Sequence, residues 1–181
     1  MKVTWEVPVL KPGLTVLVIG FVLASMFIGS TEPPAEPPTR AGVQPTTVEF
    51  ITRLEGFRNS AYRDIQGNWT IGVGHHIKKG ERRLLRASLS DAEVLQLFLY
   101  DLAKCELAIS DAVWVPHTQN QFDAMASLCF NIGEDRFKGS EVVRRINLGD
   151  EAGAGRAFLG WVKPKALTRR RHLEAALFLT K

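Results

Sequence analysis

Only two cysteines, Cys105 and Cys129, occur in the 181 residues, and no pair of histidines stands near them. That spacing carries no metal-binding signature, and neither a metal nor another cofactor is expected. Each cysteine falls on an apolar helical stripe, where small apolar packing is the commoner role. In an exported domain the two would oxidise if their helices adjoin. The chain also lacks an internal repeat, which removes solenoid arrays. It has no recognised nucleic-acid-binding motif, so nucleic acid is not an expected partner.

Charge is missing altogether from Pro12 to Thr31, and Gly13 to Gly29 is mostly Leu, Val, Ile, Phe and Met. As a helix this stretch would span about 25 Å, slightly less than the roughly 30 Å of a hydrocarbon layer. Gly13, Thr15, Gly20, Ser25 and Gly29 weaken it further as an anchor. Lys2 and Lys11 precede it and Glu32 and Glu36 follow, which orients the N-terminus to the cytoplasm and the remainder outside. The alternative is a cleaved signal peptide, with Val22-Leu23-Ala24 resembling a cleavage site. The apolar run continues through Met26, Phe27 and Ile28, which favours an uncleaved span. Either way the domain is exported. Residues 31–45 then hold five of the nine prolines and almost nothing apolar. They are expected to form an extended tether of up to about 45 Å. The organisation is therefore a membrane-type segment at 1–30, a Pro-rich linker at 31–45 and one domain at 46–181.

Acidic residues are scarce at the other end. Lys163, Lys165, Arg169, Arg170, Arg171 and Lys181 face only Glu174 across the last 21 residues. Such a run favours an anionic partner, although a solvated helix face is the plainer explanation. The whole net charge of +4 belongs to 46–181, which has 20 basic and 16 acidic residues.

What is present in that domain reads as α+β, mostly helical with one small β element. Thr46 and Glu49 form a capping box ahead of Val48, Ile51 and Leu54, giving a short helix that carries Glu55 in its last turn. Tyr62–Ile65 and Trp69–Val73 flank Gln66-Gly67-Asn68 as a hairpin. Ser90 with Glu93 and Thr118 with Gln121 open two further helices. The first has the stripe Val94, Phe98, Leu102, Cys105 and Ile109. The second aligns Phe122, Met125, Ala126 and Cys129 and stops at Gly133. Ser140–Leu148, Asp150–Phe158 and a basic helix capped by Thr168 complete the set. A site is expected in the cleft between the two parts.

The chemistry-bearing residues are Glu55, Asp64 and Thr70, nine and six residues apart. Two carboxylates and a hydroxyl suit glycosidic hydrolysis. One carboxyl gives a proton to the leaving oxygen, and the other, ionised, activates or stabilises what attacks from the far side of the sugar. Unlike environments are needed for that division. Glu55 ends an apolar helical stretch, whereas Asp64 stands beside a polar turn.

Leu54-Glu55-Gly56, Asp64 and Thr70-Ile71-Gly72-Val73-Gly74-His75 together resemble the catalytic signature of the phage-type lysozymes, glycoside hydrolase family 24. The resemblance runs from about Ile51 to Glu174. It includes Phe130-Asn131-Ile132-Gly133-Glu134, Phe137-Lys138-Gly139-Ser140 and the Trp161–Glu174 segment with its Arg-Arg core. It implies a lysozyme-like fold and a muramidase acting on bacterial peptidoglycan. Glu55 would be the general acid, Asp64 the second carboxylate and Thr70 the holder of the attacking water. His76, Phe130 and Ser140 match positions that line the saccharide groove, while His75 reads as an ion-paired structural residue. One family groove asparagine aligns with Gly155, a departure. The N-terminal span resembles signal-arrest-release segments of phage endolysins, and it holds no cysteine, so restraint there would be positional.

If Asp64 activates water, the carboxyls should stand roughly 6.5–9.5 Å apart and the product should invert. A monomer is expected. Each residue also has a plainer role: Glu55 as an ion-pair partner, Asp64 as a turn former, Thr70 as a strand residue, Phe130 as core and Ser140 as a cap. The competing functions are a lytic transglycosylase, which needs neither Asp64 nor Thr70, and a non-catalytic wall-binding module.

Overall fold

The computed structural model describes residues 41–64 and 67–181. The expected membrane-type segment, most of the linker, and Ile65 and Gln66 of the hairpin lie outside the described residues. Among the described residues no helix is long and apolar enough to cross a membrane.

Helix α1 spans Pro45–Glu55. It begins earlier than the Thr46–Glu49 box predicts, because the Gln44 N–H donates to Thr47 Oγ1 (3.0 Å) and proline stands at the first helical position. Thr47 in turn donates to Asp123 at 2.5 Å, which buries the cap. Residues 41–44, placed in the linker on sequence, are already tied down. The Gly42 carbonyl accepts from Gln119 Nε2 (2.8 Å), and Val43 packs against the core.

A three-stranded antiparallel sheet follows, with β1 Arg58–Arg63, β2 Trp69–Gly72 and β3 His75–His76 in that order. The expected hairpin is there, but its first strand starts four residues earlier than Tyr62 and slips register between Arg58 and Tyr62. The third strand is too short to give a periodic signal. Residues Lys79–Arg86 form 3-10 turns that meet at Glu81. They return to β1, where the Leu89 N–H donates to Asn59 O (2.8 Å).

The helical body comprises α2 Asp91–Ala112, α3 Gln119–Ile132, α4 Glu134–Lys138, α5 Glu141–Asn147, α6 Glu151–Phe158 and α7 Thr168–Leu179. Both expected capping boxes form: Ser90 accepts from the Glu93 N–H and Thr118 from the Gln121 N–H. Gly133 ends α3 with φ +89, a conformation that favours glycine. Ser140 and Asp150 cap α5 and α6 through the Val143 and Gly153 N–H groups. Thr168 does not cap α7. It is the first helical residue, and its hydroxyl donates to Lys165 O.

The stripe of α2 and that of α3 are buried as their spacing implies, and both feed one core with Phe137, Ile146, Phe158 and Phe178. Cys105 and Cys129 face each other across the two helices and form a disulfide. Gly155 lies where α6 meets α7. A Cβ there would stand 2.8 Å from Leu179, so the position that departs from the family pattern packs two helices together.

Candidate active site

Glu55 is the last residue of α1, and Gly56 (φ +82) turns the chain away immediately after it. Its side chain is only 18% exposed. Arg170 of α7 donates to Glu55 Oε1 at 2.5 Å, a contact spanning 115 residues of sequence. On the sheet side, Gly74 leaves room for the carboxyl: a Cβ there would stand 3.3 Å from Glu55 Oε2 and 3.5 Å from Phe130. With φ +70, Gly74 meets both demands of the turn between β2 and β3, a left-handed backbone and a missing side chain.

Arg170 is itself held from three directions. Its Nε donates to Glu174 (2.9 Å), and its Nη2 donates to the Ser127 carbonyl (3.0 Å) and hydroxyl (3.2 Å). Glu174 is fully buried and also accepts from Ser127 Oγ (2.6 Å) and from Arg171. Arg171, equally buried, donates to Asn131 and to the Trp161 carbonyl. Burial pulls its pKa below the usual guanidinium value, against the attraction of Glu174. Buried charges survive only when paired and hydrogen-bonded, and this network supplies both conditions. The C-terminal cation run is therefore not one surface patch, since Arg170 and Arg171 are buried and Arg170 anchors Glu55 from inside the body.

Asp64 sits just past β1 with its side chain 21% exposed. It accepts from the Asn68 N–H (2.8 Å) and side-chain amide (3.2 Å), and His76 Nδ1 lies 3.9 Å from its Oδ2. One rung of the sheet aligns Tyr62, Thr70 and His76, because Tyr62 pairs with Thr70 and Thr70 with His76. Directly opposite residues share a face, so these three side chains stand together. Burial raises the Tyr62 pKa, and the negative charges of Glu55 and Asp64 raise it further while Arg58 opposes them. Thr70 is 2% exposed, and its hydroxyl donates to Asn68 O at 3.4 Å, joining it to the turn that holds Asp64.

His75 points the other way. Its Nδ1 meets Asp101 of α2 at 2.5 Å and its Nε2 meets Glu81 at 3.1 Å, with Lys104 on the far oxygen of Asp101 (2.7 Å). The hydrogen bond to Asp101 is the main cause that raises the His75 pKa. For Asp101, burial pushes upward but the bonds to His75 and Lys104 prevail and lower it. This is the ion-paired role expected of His75, and it fastens the sheet lobe to α2.

A cavity of about 170 Å³ is lined by His76 of the rung and Phe130 together with Gly74, Lys78, Glu134 and the His75–Asp101–Lys104 clasp, and by none of Glu55, Asp64 and Thr70. His76 and Phe130 are thus brought to one hollow, Phe130 resting edge-on against Phe98 with ring centroids 5.3 Å apart. Ser140 is not among its lining residues. It is 5% exposed and its hydroxyl is engaged in capping α5. A larger, apolar cavity of about 920 Å³ lies between α1 and the first half of α2, and it too is lined by none of Glu55, Asp64 and Thr70. Among the described residues no group of three or more His, Cys, Asp or Glu is arranged to bind a metal.

The residues that reasoning from sequence missed are Arg170, Glu174 and Ser127. Their signal was present in the spacing of Arg170 and Arg171 from Glu174, four and three residues, which puts all three on one helical face. Nothing in the spacing indicated that this face turns inward.

The sequence matches the family model described as phage lysozyme over residues 52–174. It is 46% identical over 138 residues to the endolysin of Salmonella phage P22, covering 72% of this chain and 94% of that protein. It is 36% identical over 142 residues to the SAR-endolysin of Escherichia phage Mu, covering 76% and 81%. Among solved structures, a crystal structure of a P22 lysozyme mutant superposes with a TM-score of 0.68 at 42% identity, covering 77% of this chain and 99% of that one. The muramidase domain of SpmX from Asticaccaulis excentricus superposes with the same TM-score at 36% identity, covering 78% and 100%. The chain belongs to the phage lysozyme family and is a lysozyme enzyme.

Proposed function

We propose that the protein hydrolyses the β-1,4 bond between N-acetylmuramic acid and N-acetylglucosamine in peptidoglycan, as an exported endolysin that lyses the host cell. The observation that carries this reading is that the two carboxyls of the signature are held differently. Glu55 is enclosed and gripped by Arg170, while Asp64 is held at a polar turn by Asn68. Glu55 donates a proton to the leaving oxygen. Asp64 serves as base toward a water that Thr70 helps to hold, and the anomeric configuration inverts. His76 and Phe130 line the saccharide groove.

The names of the relatives support the cellular part of the proposal, since one is an endolysin and another a SAR-endolysin. In this reading residues 1–30 hold the enzyme at the inner membrane with its N-terminus in the cytoplasm. The part of the Pro-rich segment that precedes residue 41 tethers the catalytic domain on the periplasmic side, and the enzyme works as a monomer.

The test is lysis of purified peptidoglycan by Glu55→Gln and Asp64→Asn. Each is expected to lose about 10²–10⁴-fold in rate while remaining folded, as circular dichroism at the assay temperature checks. Near-normal lysis by Glu55→Gln would defeat the assignment of the acid.

A further inference from the structure

The net charge of the chain is concentrated in one place. Residues 56–90 carry seven cations against two carboxylates, while the rest of the chain carries sixteen against seventeen. The sheet lobe alone therefore accounts for the positive balance. Five of its cations, Lys78, Lys79, Arg82, Arg83 and Arg86, fall in the 3-10 segment and the residue before it, and all are exposed. Neither carboxylate of the lobe is left to neutralise them. Asp64 is engaged by Asn68. Glu81 is engaged by His75 and the Lys78 N–H, bonds that lower its pKa, the backbone bond foremost. Among the described residues Lys79, Arg82, Arg83 and Arg86 form no ion pair with an acidic side chain.

Position connects this charge to the candidate site through the sheet. The segment leaves β3 directly after His76, which pairs with Thr70, and Lys78 lines a hollow that His76 and Phe130 share. Like charges crowded without partners repel one another, at a cost that a bound polyanion would offset. A lipid surface is a poor fit, because insertion needs projecting apolar groups beside the cations and Leu84 and Leu85 are half-buried. The peptide stems of the wall, which branch from the glycan and bear carboxylates, fit both the charge and the place.

We propose that residues 78–86 form an anion-binding rim that holds stem-peptide carboxylates while the glycan occupies the cleft. This rests on the muramidase reading above. The test uses the full chain and the triple variant Lys79→Gln, Arg82→Gln, Arg83→Gln, with equal melting temperatures confirming the fold. Binding is measured to intact sacculi, to glycan strands stripped of stems by an amidase, and to phosphatidylglycerol vesicles. The variant is expected to bind sacculi about tenfold more weakly at low salt, with the gap closing at about 0.5 M salt. Stripped strands should bind both proteins within about twofold. An equal loss on stripped strands, no loss on sacculi, or a loss confined to vesicles would each overturn the proposal. Release of reducing sugar from saturating sacculi separates the two ideas. A wild type that releases none would refute the muramidase reading, whereas the binding difference judges the rim.

Discussion

The helical body and the sheet lobe are held together by different physics. The body rests on a continuous apolar core running from Ile51 and Phe98 to Phe178, closed by a disulfide. Apolar burial depends little on pH or moderate salt. The lobe has few fully buried side chains, with Thr70, Ile71, Val73 and His75 chief among them, and is fastened to the body by charged hydrogen bonds. The candidate site lies on the seam. Glu55 is fixed by the body through Arg170, and Asp64 is fixed by a turn of the lobe. Anything that moves the lobe therefore changes the relation of the two carboxyls without touching either.

The sharpest way to break this comparison is at Glu174, the buried anion of the body. Glu174→Gln should cost about 3–5 kcal/mol, because it leaves Arg171 and part of Arg170 uncompensated in the interior. Chemical denaturation at two salt concentrations checks it, and the loss should be nearly independent of salt. A loss below about 1 kcal/mol would mean that the network contributes little to the body.

Next in size is the disulfide. Closing a loop of 24 residues is worth about 3 kcal/mol in the chain-entropy account, so the double variant Cys105→Ala, Cys129→Ala should lose about that much. Its loss should also stay constant with pH across the neutral range.

The lobe behaves differently. The folded pKa of His75 is raised above its ordinary 6.5, so its stabilising contribution is fully present below that value and fades as pH rises through the folded value. Asp101 and Glu81 are lowered, so their contributions are present above ordinary carboxylate values and fade only in acid. The clasp is therefore strongest in mildly acidic solution. His75→Phe should destabilise by about 2–3 kcal/mol near pH 5.5 and by clearly less near pH 8.5. Melting curves of both proteins across that interval decide it, and a constant difference would remove the clasp from the account.

Local chemistry in the sequence located most helix starts, since Ser90, Thr118, Ser140 and Asp150 each find their cap within three residues. The stripes of α2 and α3 were legible for the same reason, because their periodicity is a property of the segment itself. Features that depend on distant partners were not. The burial of the first helix's cap is one, because Thr47 turns inward to Asp123, 76 residues away. The cation run of α7 reads as a solvated face until Glu55, Ser127 and Asn131 are brought beside it. At the site, the residues of the Glu55–Asp64–Thr70 signature were legible as a pattern. The rung that aligns Tyr62, Thr70 and His76 was not, because register depends on a slip inside β1.

The central claim is that two carboxyls, one from each region, hydrolyse a glycosidic bond with water. The most direct measurement is the chemical form of the sugar ends released from purified sacculi, followed by NMR from the first minutes of digestion. The account predicts reducing N-acetylmuramic acid appearing first in the inverted anomeric configuration. Anhydro-muropeptides in its place would contradict it, since they form without water and without any need for Asp64 or Thr70.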